Sequence, residues 1–510
     1  MTPSPERVRA IALTLTGWPS VTGTADEAAF SGKLAHYLEE IGGLEVWTKP
    51  IPGDALGRAN VFALKRGKGR KTVLLAGHFD TVPADDYGAL KPLAFEPERL
   101  LGKTIARLRE SGEHALALAD LESGDYLPGR GLLDMKAGLA AGIAVLEAHE
   151  GEGNLLLVAT PDEEDRSAGM RAAASQIATF TKEQGLDITL AINLDSIADD
   201  GDGSFGRSIA FGSIGKLLLT AFVVGREAHA CYPFQGINAN YLAGALLTAF
   251  ECAPELAELT GDEIAAPPTA LQAKDLKSGY NVTTPAQVWL YWNTLQHKRS
   301  AAEVLEIAIR LARAAVASAV AQLDTRARSL KQQAFAGDIP VLTYTELVAG
   351  LDRASLDQLG AKLARRDLDL PTRCLRLTQE AWRLSGRAGP AVIIGFGSIP
   401  SQAVTLGDDA LRRRLIAAVA GDVNPIGYFP GISDMSFLGR GSGGLEPAAA
   451  NTPIWHTSFA LDPSPGYQIV NIGPWGRDYH HWLERLNAPF AFNALPGLIQ
   501  RVARAGFEAD

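Results

Sequence analysis

Three apolar runs in the N-terminal part of the chain each end in side chains that hold metals or move protons. Val73-Leu74-Leu75-Ala76 leads into Gly77-His78-Phe79-Asp80. Leu155–Ala159 leads into Thr160-Pro161-Asp162-Glu163-Glu164-Asp165. Leu190-Ala191-Ile192 leads into Asn193-Leu194-Asp195-Ser196. Between them lie Ala-rich segments of helical pattern, Met135–Ala148 and Ala168–Thr179. Uninterrupted apolar strands alternating with helices predict a largely parallel sheet buried on both faces. In such a sheet the carboxyl ends of the strands share one edge, which is where open α/β sheets bind ligands. Neighbouring strands would therefore bring the three run ends together.

Each motif alone has an ordinary structural explanation. His78 and Asp80 are two apart, so they share a face of an extended chain, yet an Asp there also serves to start a turn. Asp134, within Gly129-Arg130-Gly131-Leu132-Leu133-Asp134-Met135-Lys136-Ala137-Gly138, stands where a helix N-cap belongs. The acidic run after Thr160 reads equally as a solvated loop. Together the groups form a constellation of carboxylates that would repel one another unless a cation joins them. A set of His and carboxylates suits zinc, or manganese or cobalt. Two metals bridged by one carboxylate is the arrangement of a two-metal hydrolase. Adjacent Glu163 and Glu164 can then take different roles, one on metal and one holding a proton.

The totals narrow the alternatives. With 510 residues the chain should form at least two domains, and 46% hydrophobic with 21% charged residues is ordinary for a soluble globular protein. A formal charge of −10 gives no basic face for nucleic acid. Cys231, Cys252 and Cys374 are odd in number and far apart, so no disulfide framework is expected. No secretory signal and no membrane-spanning stretch are read in the sequence. The expected location is the cytoplasm.

Residues 4–17 and 25–41 read as amphipathic helices. Past Ser208–Phe211 the pattern changes. Lys216–Val224 is strand-like, Ala239–Cys252 helical, Gln287–Asn293 alternating and Ala301–Leu323 a long helix. Residues 326–390 are charged and mainly helical, and strand patterning resumes at Ala391–Phe396. The fold class expected is α/β, a mainly parallel catalytic domain with helices on both faces plus an inserted smaller α+β lid. The boundaries expected are 1–211 with 326–510 for the catalytic domain and 212–325 for the lid.

In order, the chain shows GHFD, GLLDMKAG, PDEED, NLDS and GPWGRDYHHWLE. This series resembles the zinc-dependent exopeptidases and amidohydrolases that include aminoacylase, carboxypeptidase G and succinyl-diaminopimelate desuccinylase. The long insert between Asp80 and Asp134, with YFPGISDMSFLG and NIGPWG, is most similar to the arginine-utilisation branch. The resemblance implies two divalent ions, most readily zinc. His78 and Asp195 would bind one, Glu164 and His480 the other, and Asp134 both. Asp80 would orient His78, Glu163 would be the general base, and a cis peptide would follow Asp134. Among His456, His480 and His481, the family's Gly-Pro turn, His and an acidic residue four positions later favour His480, with Gly473-Pro474 before it and Glu484 after.

The same resemblance assigns the lid two substrate residues. His229, in Arg226-Glu227-Ala228-His229-Ala230, would steady the oxyanion, in relatives often from a partner subunit, and Asn238 would contact substrate. Without the resemblance, His229 reads as a strand-end residue stacked on Tyr232. Tyr291-Trp292-Asn293 stands where relatives carry Asp-x-Arg, the Arg that often holds a substrate carboxylate. The activity implied is hydrolysis of an N-acyl amino acid, a dipeptide or a similar small amide. The alternatives are a di-zinc aminopeptidase of another family and a non-catalytic protein keeping the fold. A homodimer through the lid is expected, with no nucleic-acid or membrane partner.

Overall fold

Burial along the central strands alternates between two separate cores. In the computed structural model, Val61, Ala63, Val73, Leu75, Leu155, Leu157, Leu190 and Ile192 enter one core. Their neighbours Phe62, Leu64, Leu74, Ala76, Leu156, Val158 and Ala191 enter another. Successive side chains of a strand point to opposite faces, so a run apolar at every position must be covered twice. Helices Pro5–Thr16, Ala25–Glu39, Ala137–Glu147 and Leu495–Phe507 supply the first cover, and Ala168–Gln184 the second. The structure describes residues 2–260, 263–335, 337–364, 368–441, 443–458 and 464–508.

The chain divides into two units, Met1–Ser213 with Val404–Gly441 and Asp462–Asp510, and Ile214–Ala403 with Ser442–Leu461. The first contains an eight-stranded sheet in the order Glu45–Pro50, Ala59–Lys65, Glu152–Thr160, Lys68–His78, Asp187–Asn193, Ile469–Asn471, Ser208–Ala210 and Asn424–Ile426. Glu152–Thr160, Lys68–His78, Asp187–Asn193 and Ile469–Asn471 are mutually parallel; Ala59–Lys65 runs antiparallel beside Glu152–Thr160, and Glu45–Pro50 antiparallel to Ala59–Lys65. The sheet is thus mixed, parallel at its centre, with helices on both faces. Its register pairs His78 with Thr160 and Ala76 with Asn193. That pairing sets the three chemically active run ends side by side.

The second unit has a five-stranded sheet ordered Thr269–Asp275, Gln287–Gln296, Gly215–Val224, Ala391–Phe396, Val341–Thr343. Ala239–Phe250 and Ala301–Ser329 cover one face, the latter starting on a capping box of Ser300 and Glu303. Tyr344–Val348, Arg353–Ala364 and Leu370–Leu384 cover the other. This corrects the expected boundaries, because residues 326–403 belong here and not to the first unit. The reason is strand pairing. Ala391–Phe396 runs antiparallel along Gly215–Val224, with Leu219 opposite Phe396 and Val224 opposite Ala391. Residues 442–461 join the same unit, where the Phe396 amide donates to the Asn451 carbonyl at 2.9 Å. No helix among the described residues is long and apolar enough to cross a membrane.

Candidate metal centre

The parallel strands deliver their ends to one place, and short backbone locks aim the side chains. After His78, the Phe79 amide donates to the Thr160 carbonyl at 2.9 Å, carrying the chain straight on to Asp80. After Asn193, the Leu194 amide donates to Ala76 at 2.9 Å. The Asn471 amide group then grips Asp195 twice, accepting from its N–H at 3.1 Å and donating to its carbonyl at 2.9 Å. Gly473 is required beside it, because a Cβ there would lie 2.1 Å from the Asp195 carbonyl oxygen.

Asp134 precedes its helix rather than capping it in the usual way. Ala137–Glu147 is regular, but Asp134 and Met135 depart from helical angles and the peptide between them is cis. The buried Glu484 carboxylate holds this turn. It accepts from the Gly131 amide at 2.9 Å and the Leu133 amide at 3.3 Å, and pairs with Arg130 at 2.8 Å.

Two three-residue groups result, and they share Asp134. His78, Asp134 and Asp195 form one, and Asp134, Glu164 and His480 the other, with the ligand atoms of each group within 4.8 Å of one another. His78 Nε2 lies 3.2 Å from Asp134 Oδ1 and 3.8 Å from Asp195 Oδ1. His480 Nε2 lies 3.1 Å from both Asp134 Oδ2 and Glu164 Oε2. Asp134 therefore turns one oxygen to each group. Glu163 is a member of neither, its Oε2 standing 3.9 Å from His78 Nε2. Asp80, fully buried, sits behind His78 with Oδ1 3.5 Å from Nδ1. The same carboxylate accepts from the amides of Glu163 at 3.1 Å and Glu164 at 3.2 Å.

The electrostatics are those of a cation site. Burial, reinforced by the Asp434, Asp195 and Glu164 carboxylates, pushes the Glu163 carboxyl well above its ordinary range. Burial likewise raises Glu164 and Asp195, each facing Asp134. Burial works against protonated His480, yet Asp134 and Glu164 raise it to about 10, and carboxylates raise His78 in the same way against its burial. The two imidazoles in turn hold Asp134 well below its ordinary range despite burial. Carboxylates gathered in this way around two imidazoles favour positive charge at their centre, which is what a divalent ion supplies. The atoms fit such an ion. Asp134 Oδ1 is buried and has no hydrogen-bond donor in line, although His78 Nε2 is close, which is how two ligands of one ion face each other.

Of the three candidate terminal histidines, His480 is the one that reaches this cluster among the described residues. His481 is exposed with its ring beside His114 and Trp482, and exposed His456 lies in the second unit. His229 and Asn238 also belong to the second unit. His229 is exposed, its Nδ1 accepts from the Cys231 amide at 3.1 Å, and its ring is 6.1 Å from that of Tyr232. Asn238 caps the helix Ala239–Phe250 by accepting from the Asn240 amide at 2.9 Å.

Two neighbours of the cluster have no prior role in the sequence reading. Asp434, in the segment YFPGISDMSFLG, is 2% exposed and accepts from Thr160 Oγ1 at 3.1 Å through Oδ2, while its Oδ1 is buried without a partner. Burial raises it to about 7. Tyr479 sets its ring edge-on to His480, centroids 5.1 Å apart, and burial beside Asp134, Asp195, Glu164 and Glu163 raises its phenol to about 12. Asp434 follows the strand Asn424–Ile426 by eight residues, and no apolar run leads directly into it, so its sequence setting gave no chemical signal.

Residues 74–449 match the profile of Peptidase family M20/M25/M40. The chain is 32% identical to protein YqjN of Bacillus subtilis over 97% of its own length and 95% of that protein's. It is 30% identical to protein RocB of the same organism, over 97% and 94% of the two chains. Its fold is similar to the crystal structure of the B. subtilis YXEP protein, described as a dinuclear metal binding peptidase. That likeness has a TM-score of 0.53 at 13% identity, covering 99% of each chain.

Proposed function

The chain belongs to peptidase family M20/M25/M40, a metal-dependent hydrolase of amide bonds, and we propose that it cleaves an N-acyl amino acid, a dipeptide or a similar small amide at two divalent ions. The observation that carries this reading is the division of Asp134, one oxygen toward His78 and Asp195 and the other toward Glu164 and His480. Zinc suits the donor set best, and manganese or cobalt also accept it. Bound there, the pair would polarise a carbonyl and lower the pKa of a water toward ~7.

The residues divide the remaining work. The Asp80 backbone carbonyl accepts from His78 Nδ1 at 3.2 Å, with the Asp80 carboxylate behind it at 3.5 Å, which leaves Nε2 free as a ligand. Glu163 is buried at the cluster and outside both ligand groups, with a carboxyl inclined to hold a proton. It would take the proton of the attacking water and return it to the leaving amine. His229 would donate to the developing oxyanion and Asn238 would contact substrate, both from the second unit. The metal content of the full chain, with rates on a panel of N-acyl amino acids, dipeptides and other secondary amides, tests the reading. Glu163→Gln should keep its metal and lose about 10²- to 10⁴-fold in kcat. Full activity in that variant would sink the assignment.

A homodimer through the second unit is part of the proposal. Thr269–Asp275 is the edge strand of its sheet, and Leu271 on it is 56% exposed, an edge of the kind that pairs with another chain. Both faces of that sheet are already covered. If His229 acts in the partner's site, dilution to monomers abolishes activity, and a fully active monomer by sedimentation contradicts the arrangement. The free cysteines fit a reducing, cytoplasmic setting.

A further inference from the structure

Behind the loop that carries Glu163 and Glu164 runs a closed circuit of hydrogen bonds with Arg58 as its one cation. Arg58 has a side chain 9% exposed, and its Nη1 engages Glu27 Oε1 at 3.0 Å and, by a short contact, Asp162 Oδ1. Its other edge is taken by Asp54, at 3.0 Å from Nε and 2.7 Å from Nη2. Glu27, itself fully buried, accepts from the Gly23 amide at 2.7 Å. The adjoining Thr22 donates through Oγ1 to Asp80 Oδ2 at 2.8 Å. Asp80 holds the amides of Glu163 and Glu164, and Glu163 follows Asp162 in the chain, which completes the ring.

Asp162 is the vulnerable member. Its φ is +71°, its Oδ2 accepts from the Ala168 amide at 3.0 Å, and its carbonyl accepts from the amides of Arg166 and Ser167. The turn 162–168 therefore leans on this residue, whose buried carboxylate is hydrogen-bonded by the Arg58 guanidinium and also feels the charge of Arg171. A planar guanidinium can serve three carboxylates in fixed directions, whereas a single ammonium cannot.

We infer that Arg58 is a positioning residue for the metal centre, which through Asp162 fixes the loop so that Glu164 meets His480 and Asp134 while Glu163 stays free of both ligand groups. The inference rests on the two-ion reading. Its test is a titration of the metal-free full chain with Co²⁺, read by visible absorption and metal analysis, for wild type, Arg58→Met, Asp162→Asn and His480→Ala. Wild type should take two equivalents. Arg58→Met and Asp162→Asn should bind the equivalent that His480→Ala also loses about 10- to 100-fold more weakly, the size expected for partners of a ligand. The other equivalent should stay within about twofold. On an amide substrate kcat should fall with KM little changed.

Two equivalents bound with wild-type affinity in both variants, whatever happens to Tm, would overturn the inference and leave Arg58 as a structural ion pair. Asp162→Asn keeps the shape of the side chain, so it decides the matter if Arg58→Met does not fold. A wild-type chain that takes no Co²⁺ would refute the two-ion reading, and this inference with it. That failure is seen in the parent protein and not in the variants.

Discussion

Replacing Asp434 by asparagine should reverse its effect on the stability of the metal-free protein between acid and neutral pH. The carboxyl is 2% exposed, and burial raises it from an ordinary 3.8 to about 7. Between those values the folded chain keeps a proton that the unfolded chain releases, so stability falls as pH rises through that window. The full penalty is about 4 kcal/mol, at ~1.36 kcal/mol per pH unit. Asparagine removes it. Asparagine can still accept from Thr160 through its oxygen, but its amide nitrogen would take the place of Oδ1, which has no partner. An unsatisfied buried donor costs about 1–2 kcal/mol. The variant should therefore be about 1 kcal/mol less stable than wild type at pH 4 and about 2–3 kcal/mol more stable at pH 8, the curves crossing near pH 5. Urea unfolding of both proteins in chelator across this range measures the difference; groups remote from Asp434 cancel, while Glu163, which the Asp434 carboxylate helps to raise, relaxes toward its ordinary range and adds to the gain at neutral pH. A difference that does not change with pH would refute the reasoning.

His480→Ala should cost the protein one of two metal equivalents, while His481→Ala keeps both, because His480 alone of the pair stands 3.1 Å from Asp134 and Glu164; equal losses by metal analysis would refute the ligand choice. Cys374 is buried with its thiol raised to about 12, whereas Cys231 and Cys252 are exposed. A thiol reagent at pH 8 should therefore titrate two thiols in the native chain and a third on unfolding, since the thiolate is the reactive form.

What the sequence made legible follows from how local each signal is. The strands ending in His78, Glu163–Glu164 and Asp195 could be read because apolar runs and their terminal polar residues are contiguous. Register then does the rest, as His78 beside Thr160 illustrates. The membership of residues 326–403 could not be read. Leu370–Leu384 has one apolar face, which tells that it covers a sheet but not which one. Arg58 and Asp162 are 104 positions apart, and Thr160 and Asp434 are 274 apart. No spacing rule reaches across such gaps, and a lone Arg or Asp near a turn has many ordinary uses. His480 was recoverable only through its setting between Gly473-Pro474 and Glu484, since the imidazole next door offers the same chemistry in isolation.

The shared carboxylate has a topological consequence. Asp134 and His480 are 346 positions apart along the chain, and a cation held between them closes that span as a reversible cross-link. Ions that bind only the folded form add stability that grows with the logarithm of their concentration. Cation supply would then set how long the first unit persists as well as whether it turns over substrate, so that starvation for metal marks the idle enzyme for unfolding.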